Sequence, residues 1–86
     1  MYFGIHEGFP IYLAPARTKK KYYAIVNNKK VFFGARGMKQ YFDEIGYFSK
    51  LNHLDKARRK RYYLRHPKNY PKGSAEWLSK TLLWRL

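Results

Sequence analysis

Eighty-six residues carry nineteen Lys and Arg against five Asp and Glu, a formal net charge of +14 and a pI near 10.2. A chain this short holds one core, not two, and its 45% hydrophobic and 20% aromatic content excludes the disordered class. The absence of Cys excludes disulfides, zinc fingers and thiol chemistry and favours a reducing compartment.

Residues 1–16 are apolar but interrupted by Gly4, Gly8, Pro10 and Pro15, with no basic residue ahead of them. That pattern fits neither a signal peptide nor a membrane span. Residues 1–19 are expected to form an irregular or extended arm. Phe9, Ile11 and Leu13 alternate as one short strand would, and Pro10 would confine it to a sheet edge.

Composition shifts at Arg17, and Lys19-Lys20-Lys21 opens a basic domain over 20–86. Tyr22 to Val26 is β-branched and aromatic, as strands are. Asn27-Asn28 follows, and Asn tolerates the positive φ of a tight hairpin turn. Lys30 to Phe33 returns as the second strand. Gly34-Ala35-Arg36-Gly37 reads as a turn; no Gly-Lys-Ser/Thr follows, so it is not a phosphate loop.

Met38, Tyr41, Phe42 and Ile45 recur at helical spacing, predicting a short helix that Gly46 ends. A second helix is expected from an Asn52 cap, with Asp55 three residues on, to Arg65, where Pro67 stops it. Pro67 to Gly73 is a loop carrying Lys68, Tyr70 and Lys72. Ser74 caps a last helix from Ala75 to Leu86, in which Trp77, Thr81 and Trp84 share a face beside Leu78 and Leu82. Leu83 and Leu86 widen its apolar surface enough to suggest a neighbouring protein.

The Lys/Arg-rich helix carries the main chemical signal. Arg58, Arg61 and Arg65 fall within about 60° of one another, while Lys56, Arg59 and Lys60 spread round the far side. Guanidinium forks grip phosphates bidentately; the alternative is a surface helix whose stems cover apolar neighbours. Rings interleaved with cations, as in Lys21-Tyr22-Tyr23, Lys30-Val31-Phe32-Phe33 and Arg61-Tyr62-Tyr63, can stack on bases or supply the core. Carboxylates and the scattered His6, His53 and His66 show no nucleophile pairing or ligand spacing, so no catalytic residue, metal or cofactor is expected.

Three pieces of the chain resemble a small basic protein family of unassigned function from large nucleocytoplasmic DNA viruses. They are Val31-Phe32-Phe33-Gly34-Ala35-Arg36-Gly37, the run from Asp55 to Arg65-His66, and Ala75-Glu-Trp77 through Leu82-Leu83-Trp84. The likeness covers roughly residues 20–86 and leaves the arm outside. It implies a viral setting, a place in the virion, and residence in the host cytoplasm or nucleus during infection.

The reading is an α+β domain, a β-hairpin packed with two to three short helices behind an extended arm. Its anion-binding set is Lys19, Lys20, Lys21, Lys56, Arg58, Arg59, Lys60, Arg61, Arg65, Lys68 and Lys72. One expected function is nucleic-acid binding in genome packaging, with DNA ahead of RNA. The other is a minor capsid protein that cements larger subunits through its arm and last helix, against acidic protein surfaces.

Overall fold

The computed structural model describes residues 1–85. It is an α+β fold: strands β1 (Tyr2–His6), β2 (Phe9–Leu13), β3 (Lys20–Val26) and β4 (Lys29–Ala35), then helices α1 (Lys56–Arg65) and α2 (Ala75–Leu83). The strands form one antiparallel sheet in the order β1-β2-β3-β4, so each hairpin pairs with the next. Short 3-10 turns occupy Ala16–Thr18 and Ser49–Leu51.

The Asn27-Asn28 hairpin forms as expected, with both residues at positive φ. A second hairpin of the same geometry replaces the expected arm. Glu7 and Gly8 also sit at positive φ, and they turn β1 back onto β2. Residues 2–13 of the expected arm therefore belong to the sheet. Nor is β2 an edge strand, since β1 and β3 flank it. Pro10 is tolerated because the β2–β3 pairing begins one residue later, at Ile11 opposite Ala24, and its missing N–H takes nothing from that ladder.

Alternation sorts the sheet's side chains into two sets. Ile11, Tyr22, Ala24 and Phe33 join Leu78, Leu82 and Leu83 of α2 in the core. Tyr2, Tyr12, Tyr23 and Phe32 take the intervening register positions and form a ladder of rings across all four strands. Their successive centroids lie 5.3, 5.2 and 5.3 Å apart.

The helix predicted over Met38–Ile45 does not form. That segment is irregular, and its backbone closes the end of α2: Phe42 N–H donates to the Leu83 carbonyl and Glu44 N–H to that of Leu82, each at 3.0 Å. These carbonyls have no acceptor role inside the helix, so a tertiary contact outcompetes the local periodicity. Asp43, buried, fixes the segment by accepting from the Tyr22 hydroxyl and from the backbone N–H of Ile45 and Phe48.

Asp55, not Asn52, caps α1, accepting from Ala57 and Arg58 N–H at 2.9 and 3.2 Å. Asn52 instead accepts from Gln40 Nε2 and Asp43 N–H. Ser74 caps α2 as expected. Leu83 is buried against Gly34, where a Cβ would lie 3.0 Å from Leu83 Cδ1, so it is core and not a partner-facing residue. Leu86, expected at the end of the last helix, lies outside the described residues.

Helix α1 attaches through one side only. Tyr62 is buried and stacks on Trp84, with centroids 4.3 Å apart and planes 6° from parallel. The Tyr63 hydroxyl donates to the Trp84 carbonyl at 3.0 Å. Arg58, Arg61 and Arg65 are left exposed.

Candidate anion-binding cleft

Arg58, Arg61 and Arg65 of α1 line a cleft of about 460 Å³, faced by Lys39 and completed by His53 and Trp84. Helical spacing sets the three guanidinium groups in a row, and the closing segment brings Lys39 across to them. Among the described residues no acidic side chain lines this cleft. Among the described residues the two ion pairs, Lys72–Glu7 at 3.8 Å and Arg85–Glu44 at 3.4 Å, involve none of these cations. The cleft thus concentrates positive charge that the fold does not neutralise.

A second cleft of about 420 Å³ adjoins the first along β4 and α2, and Met38, Lys39, Arg65 and Trp84 line both. It adds Lys20 on β3 and an apolar wall that includes Phe32 and Leu83.

His53 reports on the field in the first cleft. Burial, then the Arg58 charge, holds its pKa below the ordinary value against the opposing pull of Asp55, with Lys39 adding to the depression. Its Nδ1 accepts from the Asp55 N–H at 2.9 Å, which places the proton of the neutral ring on Nε2. That Nε2 is buried and has no hydrogen-bond partner among the described residues. Asp55 is held below the usual carboxylate range by the Arg58 N–H bond, with Ala57 N–H and the Arg61 and Arg58 charges assisting against desolvation.

The other expected contacts divide. Lys20 joins the second cleft, whereas Lys19, Lys56, Lys60 and Lys68 are exposed but line neither cleft. Lys72 lies against Glu7.

Two expected sites belong to the fold instead. Lys21 is 1% exposed, and its Nζ donates to the Met38 carbonyl at 2.7 Å and to Gln40 Oε1. Gly34 makes room for it, since a Cβ there would lie 3.3 Å from Lys21 Cβ and Cδ. Burial lowers the Lys21 pKa to about 8, with Asp43 opposing. Arg59 is half-buried, donating to the Trp84 and Arg85 carbonyls at 3.1 and 2.9 Å while its guanidinium lies 4.8 Å from the Tyr63 ring centre. Neither side chain is available to a ligand without unmaking these contacts.

Sequence reasoning missed Lys39, because it was placed on a helix that does not exist, and Trp84 as a cleft wall, because its ring was counted wholly as core. No local signal marks either role; both depend on the irregular segment crossing to α1.

Comparison with family models, with curated proteins and with solved structures finds no match to this chain.

Proposed function

We propose that the protein binds nucleic acid through the arginine cleft, holding phosphates with Arg58, Arg61, Arg65 and Lys39 and performing no covalent chemistry. The observation that carries the reading is a row of exposed guanidinium groups in a cleft that, among the described residues, no carboxylate lines. Guanidinium matches phosphate geometry bidentately, and an overall charge of +14 steers any polyanion toward the protein. Phosphate contacts position a ligand without reading its bases, so binding is expected to tolerate many sequences. This suits packaging or condensation of a genome. A place in a virus particle, with DNA ahead of RNA, is part of the same proposal and rests on the resemblance at residues 31–37, 55–66 and 75–84.

The test is the salt dependence of binding. Neutralised phosphates release counterions, so affinity should fall with salt along a log-log slope set by the number of contacts. Arg58→Gln, Arg61→Gln and Arg65→Gln together should flatten that slope by about 2 to 3 while leaving the melting temperature within a few degrees. A wild-type slope shallower than about 2 in magnitude would retire the phosphate reading.

The minor-capsid alternative keeps one observation of its own. Edge strand β1 exposes Tyr2 at 54% and Ile5 at 68%, next to Met1 at 70%, an apolar edge on which another strand can pair. Ile5→Lys should then block incorporation into particles while nucleic-acid binding persists.

A further inference from the structure

We infer that the outer face of the sheet is a dimer interface, covered by the same face of a second copy of this chain. An antiparallel sheet with one wet face alternates apolar and polar residues. Here both faces are apolar. Phe9, Ile11, Tyr22, Ala24, Val31 and Phe33 lie in the core or pack against it, and the residues between them form two rows across all four strands. One row is the ring ladder of Tyr2, Tyr12, Tyr23 and Phe32. The other, at the next outward positions along the strands, is Ile5, Pro10, Ile25 and Lys30. A bulge between Tyr2 and Gly4 keeps Tyr2 and Ile5 on this same face. None of these side chains is buried and none belongs to the core, so among the described residues this apolar face has no cover.

Charge, shape and area point to one occupant. The two rows carry a single cation, Lys30 on edge strand β4, and no carboxylate. Nucleic acid or an acidic protein would find little to pair with here, and the inner rings Tyr12 and Tyr23 already stack on each other with planes 14° from parallel. What fits is a neutral apolar surface. A second copy brings one of matching relief, because the rings form a ridge and the shorter side chains beside them a furrow. A twofold axis running across the strands, between the rows, lays each ridge in the furrow of the other copy, Tyr23 over Ile25 and Tyr12 over Pro10. The net charge of +14 opposes association but is carried elsewhere. In particular, α1 joins the core side through Tyr62 on Trp84, away from this face. Four strands of five to seven residues make a face of about 19 by 20 Å at the usual strand spacing and rise. With side-chain relief included, two such faces come to about the 1,000 Å² that a specific interface needs.

Such a dimer leaves one arginine cleft open on each copy, so on the nucleic-acid reading, and resting on it, one dimer holds two segments of nucleic acid. The test is the mass of the intact protein, stripped of nucleic acid, by sedimentation at about 100 µM, since interfaces near this size limit hold at micromolar concentrations. Twice the chain's 10.4 kDa is expected. Raising salt from about 0.1 to 1 M should tighten the dimer by screening the repulsion, whereas an assembly held by residual nucleic acid would loosen. Ile25→Lys sets an unpaired ammonium in each half of the interface and should weaken the dimer more than about tenfold, with the far-UV spectrum unchanged. In the wild type, NMR shifts that depend on concentration should fall on Tyr12, Tyr23 and Ile25 and spare Arg58 and Arg61, which locates the contact even if the variant folds poorly. A mass of 10.4 kDa at every concentration and salt overturns the dimer and gives the face to a different protein. A dimer that survives Ile25→Lys, or shifts confined to α1, overturns the face. With duplex added, the wild type should bring two differently labelled duplexes together and Ile25→Lys should bind them singly; a dimer that binds duplex without pairing it sinks the two-segment consequence. The masses are read without nucleic acid, so they leave the phosphate reading to its own salt slope.

Discussion

Lys21 and Arg61 each bring one positive charge to this domain, and the fold treats them in opposite ways. Lys21 is enclosed between β4 and the closing segment, where a backbone carbonyl and Gln40 satisfy its ammonium group and Asp43 supplies a nearby negative charge. Arg61 stands exposed in a cleft that contains other cations and no acid. The same contrast repeats within a single turn of α1, where Arg59 is tied to two carbonyls and Arg58 makes no ion pair among the described residues. A net charge of +14 is thus two populations. One holds the chain together; the other makes no ion pair among the described residues, and on the proposed function it is the population that meets the ligand.

The comparison breaks first if the enclosed network proves dispensable. Asp43 accepts three hydrogen bonds in a buried setting, from Tyr22, Ile45 and Phe48. Asp43→Ala leaves those donors unsatisfied and strands the Lys21 charge, a loss expected to cost about 3–5 kcal/mol. In a domain of this size that loss should abolish most of the folded population, which urea unfolding followed by Trp fluorescence would record. Retention of the wild-type midpoint would mean the network is peripheral, and the division between the two populations would lose its meaning.

This network is also where the sequence was least informative. The Asn27-Asn28 turn, the Ser74 cap and the Leu78 and Leu82 core positions are local signals, and each could be read from a few neighbouring residues. The basic face of α1 was legible for the same reason, since helical spacing alone aligns Arg58, Arg61 and Arg65. The segment 38–55 was not, because its conformation answers to the orphan carbonyls of Leu82 and Leu83, some 40 residues away. Its mistaken helix then hid Lys39 from the site and Lys21 from the core. The first hairpin is hidden differently: Glu7-Gly8 is a weaker turn signal than Asn-Gly or Asp-Gly, and Pro10 points to an edge strand unless the offset of the β2–β3 ladder is known.

A sharper probe of the enclosed population is pH. Lys21 has a folded pKa of about 8 against an ordinary 10.5, so between those values the unfolded chain holds a proton that the folded protein has released. Stability therefore rises with pH across that window, by up to about 3 kcal/mol, and is lowest below pH 8 where both states are protonated. Tyr22 acts oppositely: burial and its bond to Asp43 raise its pKa, so above its ordinary value of 10.0 the unfolded chain loses a proton that the folded one keeps, and stability falls. Chemical denaturation from pH 7 to 11 should trace a maximum near pH 10. Deprotonation of exposed lysines also relieves repulsion, so the specific effect is the part of the rise that disappears in Lys21→Met. A rise of equal size in that variant would assign it to general charge relief.

Neighbouring arginines test the division within one helix. Arg59→Gln deletes bonds to the Trp84 and Arg85 carbonyls and a contact with the Tyr63 ring, and should cost about 1–2 kcal/mol of stability. Arg58→Gln touches no such partner and should stay within about 0.5 kcal/mol. Nucleic-acid affinity should invert the order, with Arg58→Gln weakening it and Arg59→Gln leaving it nearly unchanged under conditions where both are folded. The idea fails if the two variants behave alike in both measurements.

The smallest expected effect concerns His53, which stands at the border between the two populations. Burial and the Arg58 charge hold its pKa below the ordinary value, and its Nε2 has no hydrogen-bond partner among the described residues. A phosphate bound beside Arg58 and Lys39 would offset their charges and relieve the Coulombic part of that depression. His53 should then take up a proton more readily in the complex than in the free protein, and linkage requires affinity to increase as pH falls through its pKa. Because burial is the larger cause and remains in the complex, the gain between pH 7.5 and 5.5 should be under about tenfold, or 1.4 kcal/mol. An oligonucleotide without terminal phosphate removes the ligand's own titration near pH 6, and His53→Gln keeps a polar side chain while deleting the protein's. Binding measured with both should show the pH dependence in the wild type alone. If the variant retains it, the anion lies elsewhere on the surface and the cleft is not where the free charges act.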